Sequence, residues 1–189
     1  MQSSGIAFLL ISGCLLCTAN ARGKSEDPCN SISAQDLMTC ASVRLAGADA
    51  RLNTLYRERL SVAGDRRSAL LDVQRSWLAF RDEHCDRLHE ESGGNEAEIE
   101  RTDCLASLTE DRAIELDRLG NEQGDNLLFR VLRALERSGY NGEAVLDALA
   151  SAPGDKWTQY AEKHCEFLEG MRNTTKTECL ARLALDRSY

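Results

Sequence analysis

Two dipeptides hold residue types that could do chemistry: His84-Cys85 and His164-Cys165. An imidazole beside a thiol could serve as a nucleophilic dyad, supply two metal ligands, or mark a cysteine committed to a disulfide. The dyad needs a free thiolate. A structural zinc site usually needs tight ligand pairs such as C-x-x-C, and the chain has none after Cys14 and Cys17 of its apolar N-terminal run. It also has no G-x-S-x-G, no H-E-x-x-H and no glycine-rich phosphate loop. The expectation is therefore a protein that is not an enzyme and that uses neither metal nor cofactor.

The N-terminus bears on the fate of the thiols. Ile6 to Cys17 is an apolar run of twelve, too short to span a bilayer but suited to the core of a secretory signal. Ala19-Asn20-Ala21 offers the small-x-small cleavage pattern, so residues 1–21 read as a signal peptide with the cut before Arg22. The rival is a lipoprotein signal, with a lipid anchor at Cys14 after Ile11-Ser12-Gly13. Cleavage after Ala21 leaves six cysteines, whereas cleavage before Cys14 leaves Cys17 as an odd thiol. An even count in an exported chain marks a disulfide framework. The expected location is periplasmic or secreted, in the cell envelope.

The elements that position these residues read as helices. Ser33 is a candidate N-cap with Asp36 three residues on, and Met38, Leu45, Ala48, Leu52, Leu55 and Tyr56 form one apolar stripe. Gly64-Asp65 breaks it. Leu70, Val73, Trp77, Leu78, Cys85 and Leu88 form the inward face of a second helix, and Ser92-Gly93-Gly94-Asn95 is a turn. A third helix carries Ile99, Leu105, Leu108, Leu116 and Leu119 and ends near Gly120. A helix closed by Ser138-Gly139 and a shorter one over Glu143 to Ala150, stopped by Pro153-Gly154, come next. Alternating β-branched runs are missing, so the fold class is all-α: an antiparallel helical bundle.

The chain then repeats itself. Trp77-x-x-Phe80-x-x-x-His84-Cys85 returns eighty residues later as Trp157-x-x-Tyr160-x-x-x-His164-Cys165. Thr102-Asp103-Cys104-Leu105-Ala106-x-Leu108-x-x-Asp111-Arg112 returns as Thr177-Glu178-Cys179-Leu180-Ala181-x-Leu183-x-x-Asp186-Arg187, with seven of eleven positions identical. Residues 155–189 thus look like a partial copy of the hairpin at 65–119. Six cysteines allow fifteen pairings. A copied unit must carry its own staple, which selects Cys85–Cys104 and Cys165–Cys179 and leaves Cys29–Cys40.

These elements resemble a known family. Cys29 and Cys40, then Leu52-Asn53-Thr54-Leu55-Tyr56, then Gln74, Trp77, Phe80, Arg81, Asp82 and Cys85, and finally Cys104-Leu105-Ala106-Ser107-Leu108-Thr109-Glu110-Asp111-Arg112 follow the order of the LprI-like lysozyme-inhibitor N-terminal domain. The resemblance covers residues 29–119. It implies an exported helical module whose best-described member inhibits lysozyme. The second copy departs from the pattern: Ala161 stands at the place of Arg81, and Gly154 at that of Gln74. The expected organisation is a helical domain over 22–120 and a helical region over 121–189 that holds the partial repeat.

Charge constrains the partner. Thirty-one acidic against 23 basic residues give a net charge of −8, which repels nucleic acid and attracts a basic protein. Glu90, Glu91, Glu96, Glu98 and Glu100 lie in the segment His89 to Glu100, read as a flexible acidic loop and as the candidate contact surface. An acidic hairpin tip is either a plain solvated turn or the charge an inhibitor presents to a basic lysozyme-type muramidase. Arg81, on an apolar face, calls for Asp49, Asp82 or Asp111 as a carboxylate partner, or else faces outward to a protein. Gln74, Thr109 and Arg112 read as a structural polar core with it, and Trp77 and Trp157 as core anchors. Two functions from different classes are expected. One is an inhibitor protecting the wall, or serving as an immunity protein against a secreted toxin. The other is a structural or accessory envelope protein without inhibitory activity. A third option is a small ligand in the bundle core.

Overall fold

A computed structural model describes residues 27–94, 96–119, 127–151, 155–169, 171 and 175–186. The expectations placed on residues 1–21, on Asn95, Gly120, Pro153 and Gly154, and on Arg187 lie outside the described residues. The protein is all-α, with no β-strand among the described residues.

One 3₁₀ turn at Pro28–Asn30 leads into α1 (Ala34–Val62). Ser33 caps α1, accepting the amide of Asp36 at 3.1 Å, while its hydroxyl donates to the Asp36 carboxylate at 2.7 Å. The Cys29–Cys40 disulfide fastens the turn to the start of this helix. A second 3₁₀ turn at Gly64–Arg66 redirects the chain into α2 (Arg67–Ser92), and α3 (Ala97–Arg118) returns antiparallel to it. Gly93 and Gly94 take φ of +59° and +78°, a backbone region open to glycine, so the turn between these helices is tight. Cys85–Cys104 staples the hairpin behind that turn.

α1 runs parallel to α3. Arg44 pairs with Asp103, Arg51 with Glu110 at 3.8 Å, and Arg59 Nε donates to the Leu116 carbonyl at 2.9 Å. The partners advance together along both helices, which fixes the direction. Only Ala41 and Leu52 of α1 are fully buried, since this helix covers one side of the hairpin and turns the rest to solvent. Leu78 differs from its expected place on the inward face of α2: it is 37% exposed. Leu70, Val73, Trp77 and Phe80 define the buried stripe, and each further residue rotates about 100° away from it.

α4 (Leu127–Arg137), closed by Gly139 at φ +89°, and α5 (Gly142–Ala150), capped by Asn141, form a small outer layer. α6 (Asp155–Leu168) and α7 (Lys176–Asp186) make the second hairpin, stapled by Cys165–Cys179. α6 lies on α2, and α7 packs under α5. A continuous apolar core runs from Leu52, Leu70, Val73, Trp77 and Phe80 to Leu116, Trp157, Tyr160, Phe167 and Leu183. The two hairpins therefore share one core. Arg66 ties them again: its Nη1 donates to the carbonyls of Phe167 and Glu169, at 2.9 and 3.1 Å, where α6 ends.

Candidate functional site

The acidic segment is not the continuous loop expected from its composition. Glu90 and Glu91 belong to the last turn of α2, and Glu98 and Glu100 to the first turn of α3. Only four residues, Gly93 to Glu96, lie between the helices. The tip is therefore the short end of a stapled hairpin, with α2 reaching to Ser92 and α3 starting at Ala97. All five glutamates are exposed. Glu91 lies 3.8 Å from Arg87, and Glu98 lies 3.7 Å from His89 and 3.9 Å from Arg101. Among the described residues Glu90, Glu96 and Glu100 have no ion-pair partner, so they hold the uncompensated charge of the tip.

The four residues expected to form one polar core are found as two pairs. Arg81 donates to Asp82 at 2.7 and 2.9 Å and to the Thr109 hydroxyl at 3.2 Å, with Asp49 at 3.9 Å and the Trp77 ring beneath its guanidinium at 5.1 Å. Asp82 and Asp49 are thus its carboxylates. Gln74 instead meets Arg112, whose Nε donates to the glutamine oxygen at 3.1 Å. Arg112 is 1% exposed, the more deeply buried of the two arginines.

The surroundings of Arg112 explain how a guanidinium survives there. Its Nη1 lies 3.1 Å from Glu115 Oε2, 3.1 Å from the Tyr160 hydroxyl and 3.2 Å from His164 Nδ1, and its plane sits over the Tyr160 ring. The other ring nitrogen of His164, Nε2, lies 3.6 Å from Glu115 Oε1. Tyr160 donates to Glu115 at 2.5 Å, and Arg182 reaches the same carboxylate at 3.2 Å. Burial alone would raise the Glu115 pKa. The His164 ring, Arg182, Arg112 and the Tyr160 hydroxyl outweigh that cost and hold the carboxyl well below the usual carboxylate range. Burial, reinforced by Glu115, pushes the Tyr160 phenol far above its ordinary value, so it stays a donor.

Sequence reasoning places none of Glu115, Tyr160, His164 and Arg182 around Arg112. One signal was available: Tyr160 stands where the first copy has Phe80. A hydroxyl added at a core position requires a partner there. No group of three or more metal-ligating side chains occurs among the described residues, and no described helix is long and apolar enough to cross a membrane.

A stapled helical hairpin, covered by a long parallel helix and completed by its own partial copy, defines a disulfide-rich helical module. The model of a family described as lysozyme inhibitor LprI matches residues 26–116, which takes in α1, α2 and nearly all of α3. The chain belongs to that family. An uncharacterized protein of Rhizobium meliloti is 33% identical over an alignment covering 63% of this chain and 96% of the relative. No solved structure matches. Gln74, Arg112 and Glu115 fall within the matched span, whereas Tyr160, His164 and Arg182 come from beyond it.

Proposed function

We propose that this protein is an exported inhibitor of a lysozyme-type muramidase and acts by occluding the enzyme's cleft, without catalysis of its own. The observation that carries the reading is the acidic tip of the α2–α3 hairpin, inside the span that matches the inhibitor family. It projects Glu90, Glu96 and Glu100 from a turn braced by Cys85–Cys104. A braced tip loses little conformational freedom on docking, and its charge speeds encounter with a basic enzyme. Three disulfides suit an oxidising compartment, in keeping with residues 1–21 as a signal peptide and a periplasmic or secreted destination.

The experiment is direct. Oxidised protein is mixed with hen-type and bacterial muramidases while the turbidity of a cell-wall suspension is followed. Slowed clearing at micromolar protein is expected. No slowing with any of these enzymes would overturn the reading and leave an accessory envelope protein in its place.

A further inference from the structure

The seam between the two hairpins holds a cavity of about 160 Å³ with the exposed Asp111 at its edge. Both copies of the repeat build its wall. Trp77 and Phe80 come from α2, Trp157 and Tyr160 from α6, and Ile114 and Leu183 add aliphatic sides from α3 and α7. Cavities of roughly 150 Å³ with apolar walls admit a benzene ring, so this one has room for one ring or a branched chain of similar bulk.

The polar members of the wall are committed to other protein groups. The Arg112 side chain is wholly buried, with Nε on Gln74 and Nη1 on Glu115 and Tyr160, so it offers no edge to a ligand. The Glu115 carboxylate takes Arg112, Arg182 and the Tyr160 hydroxyl. Asp111 and Arg118 have interactions of their own. What the cavity presents is ring and aliphatic surface. A charged ligand would leave water for a wall whose charges are already engaged, which is costly. A neutral apolar one gives up only its hydration shell, and that transfer is favourable.

We infer that the seam is a binding site for a small neutral apolar molecule, one aromatic ring or its aliphatic equivalent in bulk, held between the two copies of the repeat. Trp157, Tyr160 and Leu183 lie beyond the residues that match the inhibitor family, so the site belongs to the added copy as much as to the family module. The inference is independent of muramidase inhibition.

The test titrates the full oxidised chain with toluene, and with benzoate and benzylamine as charged rings of like size, while tryptophan emission is followed. The chain has two tryptophans, and both line the cavity. Toluene should give a saturable change with half-saturation at about 1 mM or tighter, and both charged probes should bind about tenfold more weakly or worse. Methyl NMR of the unaltered chain locates the ligand: ring-current shifts are expected at Leu108, Ile114 and Leu183. Ile114→Phe, which fills the cavity from its half-exposed side, should weaken toluene about tenfold while helical circular dichroism is unchanged. No saturable response to toluene would overturn the inference, as would equal binding of either charged probe. Methyl shifts confined to other residues, or full toluene affinity in folded Ile114→Phe, would put the ligand outside the seam and overturn it too.

Discussion

The rings of Phe80 and Tyr160 stack with centroids 6.1 Å apart and planes 7° from parallel, and the two residues occupy the same place in the two copies of the repeat. Trp157 meets Phe80 edge-on at 5.2 Å and Tyr160 at 5.7 Å. The duplicated helices α2 and α6 thus pack on each other through corresponding residues, so the second copy seals the first with a version of its own face. The difference between the two stacked residues is one hydroxyl, and that hydroxyl donates to Glu115 at 2.5 Å. Tyr160→Phe keeps the stack and removes the bond. Its expected cost is about 2 kcal/mol of unfolding free energy, the value of a hydrogen bond to a charged acceptor. Urea unfolding with an unchanged m-value would measure it; a cost near zero would mean that Glu115 is held by the arginines alone.

Much of this arrangement is legible in the residues. The helical stripes, the Ser33 cap, the Gly93-Gly94 turn and the assignment of one staple to each copy all follow from spacing, because such features depend on neighbours in the chain. The seam is less legible. Arg81 and Arg112 both sit within helical patterns, and only the tertiary placement of α6 and α7 makes Arg112 the one wholly enclosed. Its partners Tyr160 and His164 are 48 and 52 residues away, a separation that no local pattern reports. The acidic tip failed for another reason. Glycine and glutamate content suggested a long loop, yet glutamates at 98 and 100 suit the positive first turn of α3.

The shared core bears on whether the matched span stands alone. A chain ending at Leu119 would uncover Leu70, Val73, Trp77, Phe80 and Leu116, which now pack toward the second hairpin. It would also lose Tyr160, His164 and Arg182 around the Arg112–Glu115 pair. The fragment should self-associate at micromolar concentration while the full chain does not, since an exposed apolar face of this kind seeks cover. Size-exclusion chromatography with light scattering decides it; a monodisperse, cooperatively melting monomer would contradict the seam's importance.

Acid should loosen the same seam. The folded pKa of Glu115 is lowered and its ordinary value is 4.5, so the unfolded chain binds a proton first as pH falls. The stabilisation from Glu115 is then fully present above about pH 4.5 and declines below it, toward the much lower folded pKa. Glu115→Gln leaves Arg112 and Arg182 without their carboxylate at every pH. Removing one partner of a buried pair costs roughly 3–5 kcal/mol. The variant should therefore be that much less stable at pH 7 and show a shallower loss between pH 5 and 3. Parallel stability curves for the two proteins over that range would refute the assignment.

Arg66 provides a subtler test of how the hairpins are joined. It is half-buried and donates to two carbonyls at the end of α6, so Arg66→Ala should cost about 1–2 kcal/mol without altering either hairpin internally. Hydrogen exchange is the suitable readout: faster exchange confined to α6 and α7 is expected. Uniform acceleration across α1 to α3 would instead mean that the latch stabilises the whole fold.

The tip itself yields the sharpest functional prediction, because its glutamates differ in how they are paired. Glu91 and Glu98 already face Arg87, His89 and Arg101, whereas Glu90, Glu96 and Glu100 face solvent. If charge at the tip steers a basic muramidase, neutralising the second group should matter more. Replacing Glu90, Glu96 and Glu100 together with Gln should slow association about tenfold at low salt and flatten its dependence on ionic strength, with dissociation little changed. Replacing Glu91 and Glu98 should do less, since both charges are partly cancelled before the partner arrives. Cys85→Ala with Cys104→Ala separates charge from shape: it keeps every glutamate but unbraces the hairpin, at a cost of about 3 kcal/mol for a 19-residue separation. Its mark should be faster dissociation with association preserved. Surface-plasmon kinetics on the two classes of variant resolves these effects, and equal association rates for the two glutamate sets would detach the tip from recognition.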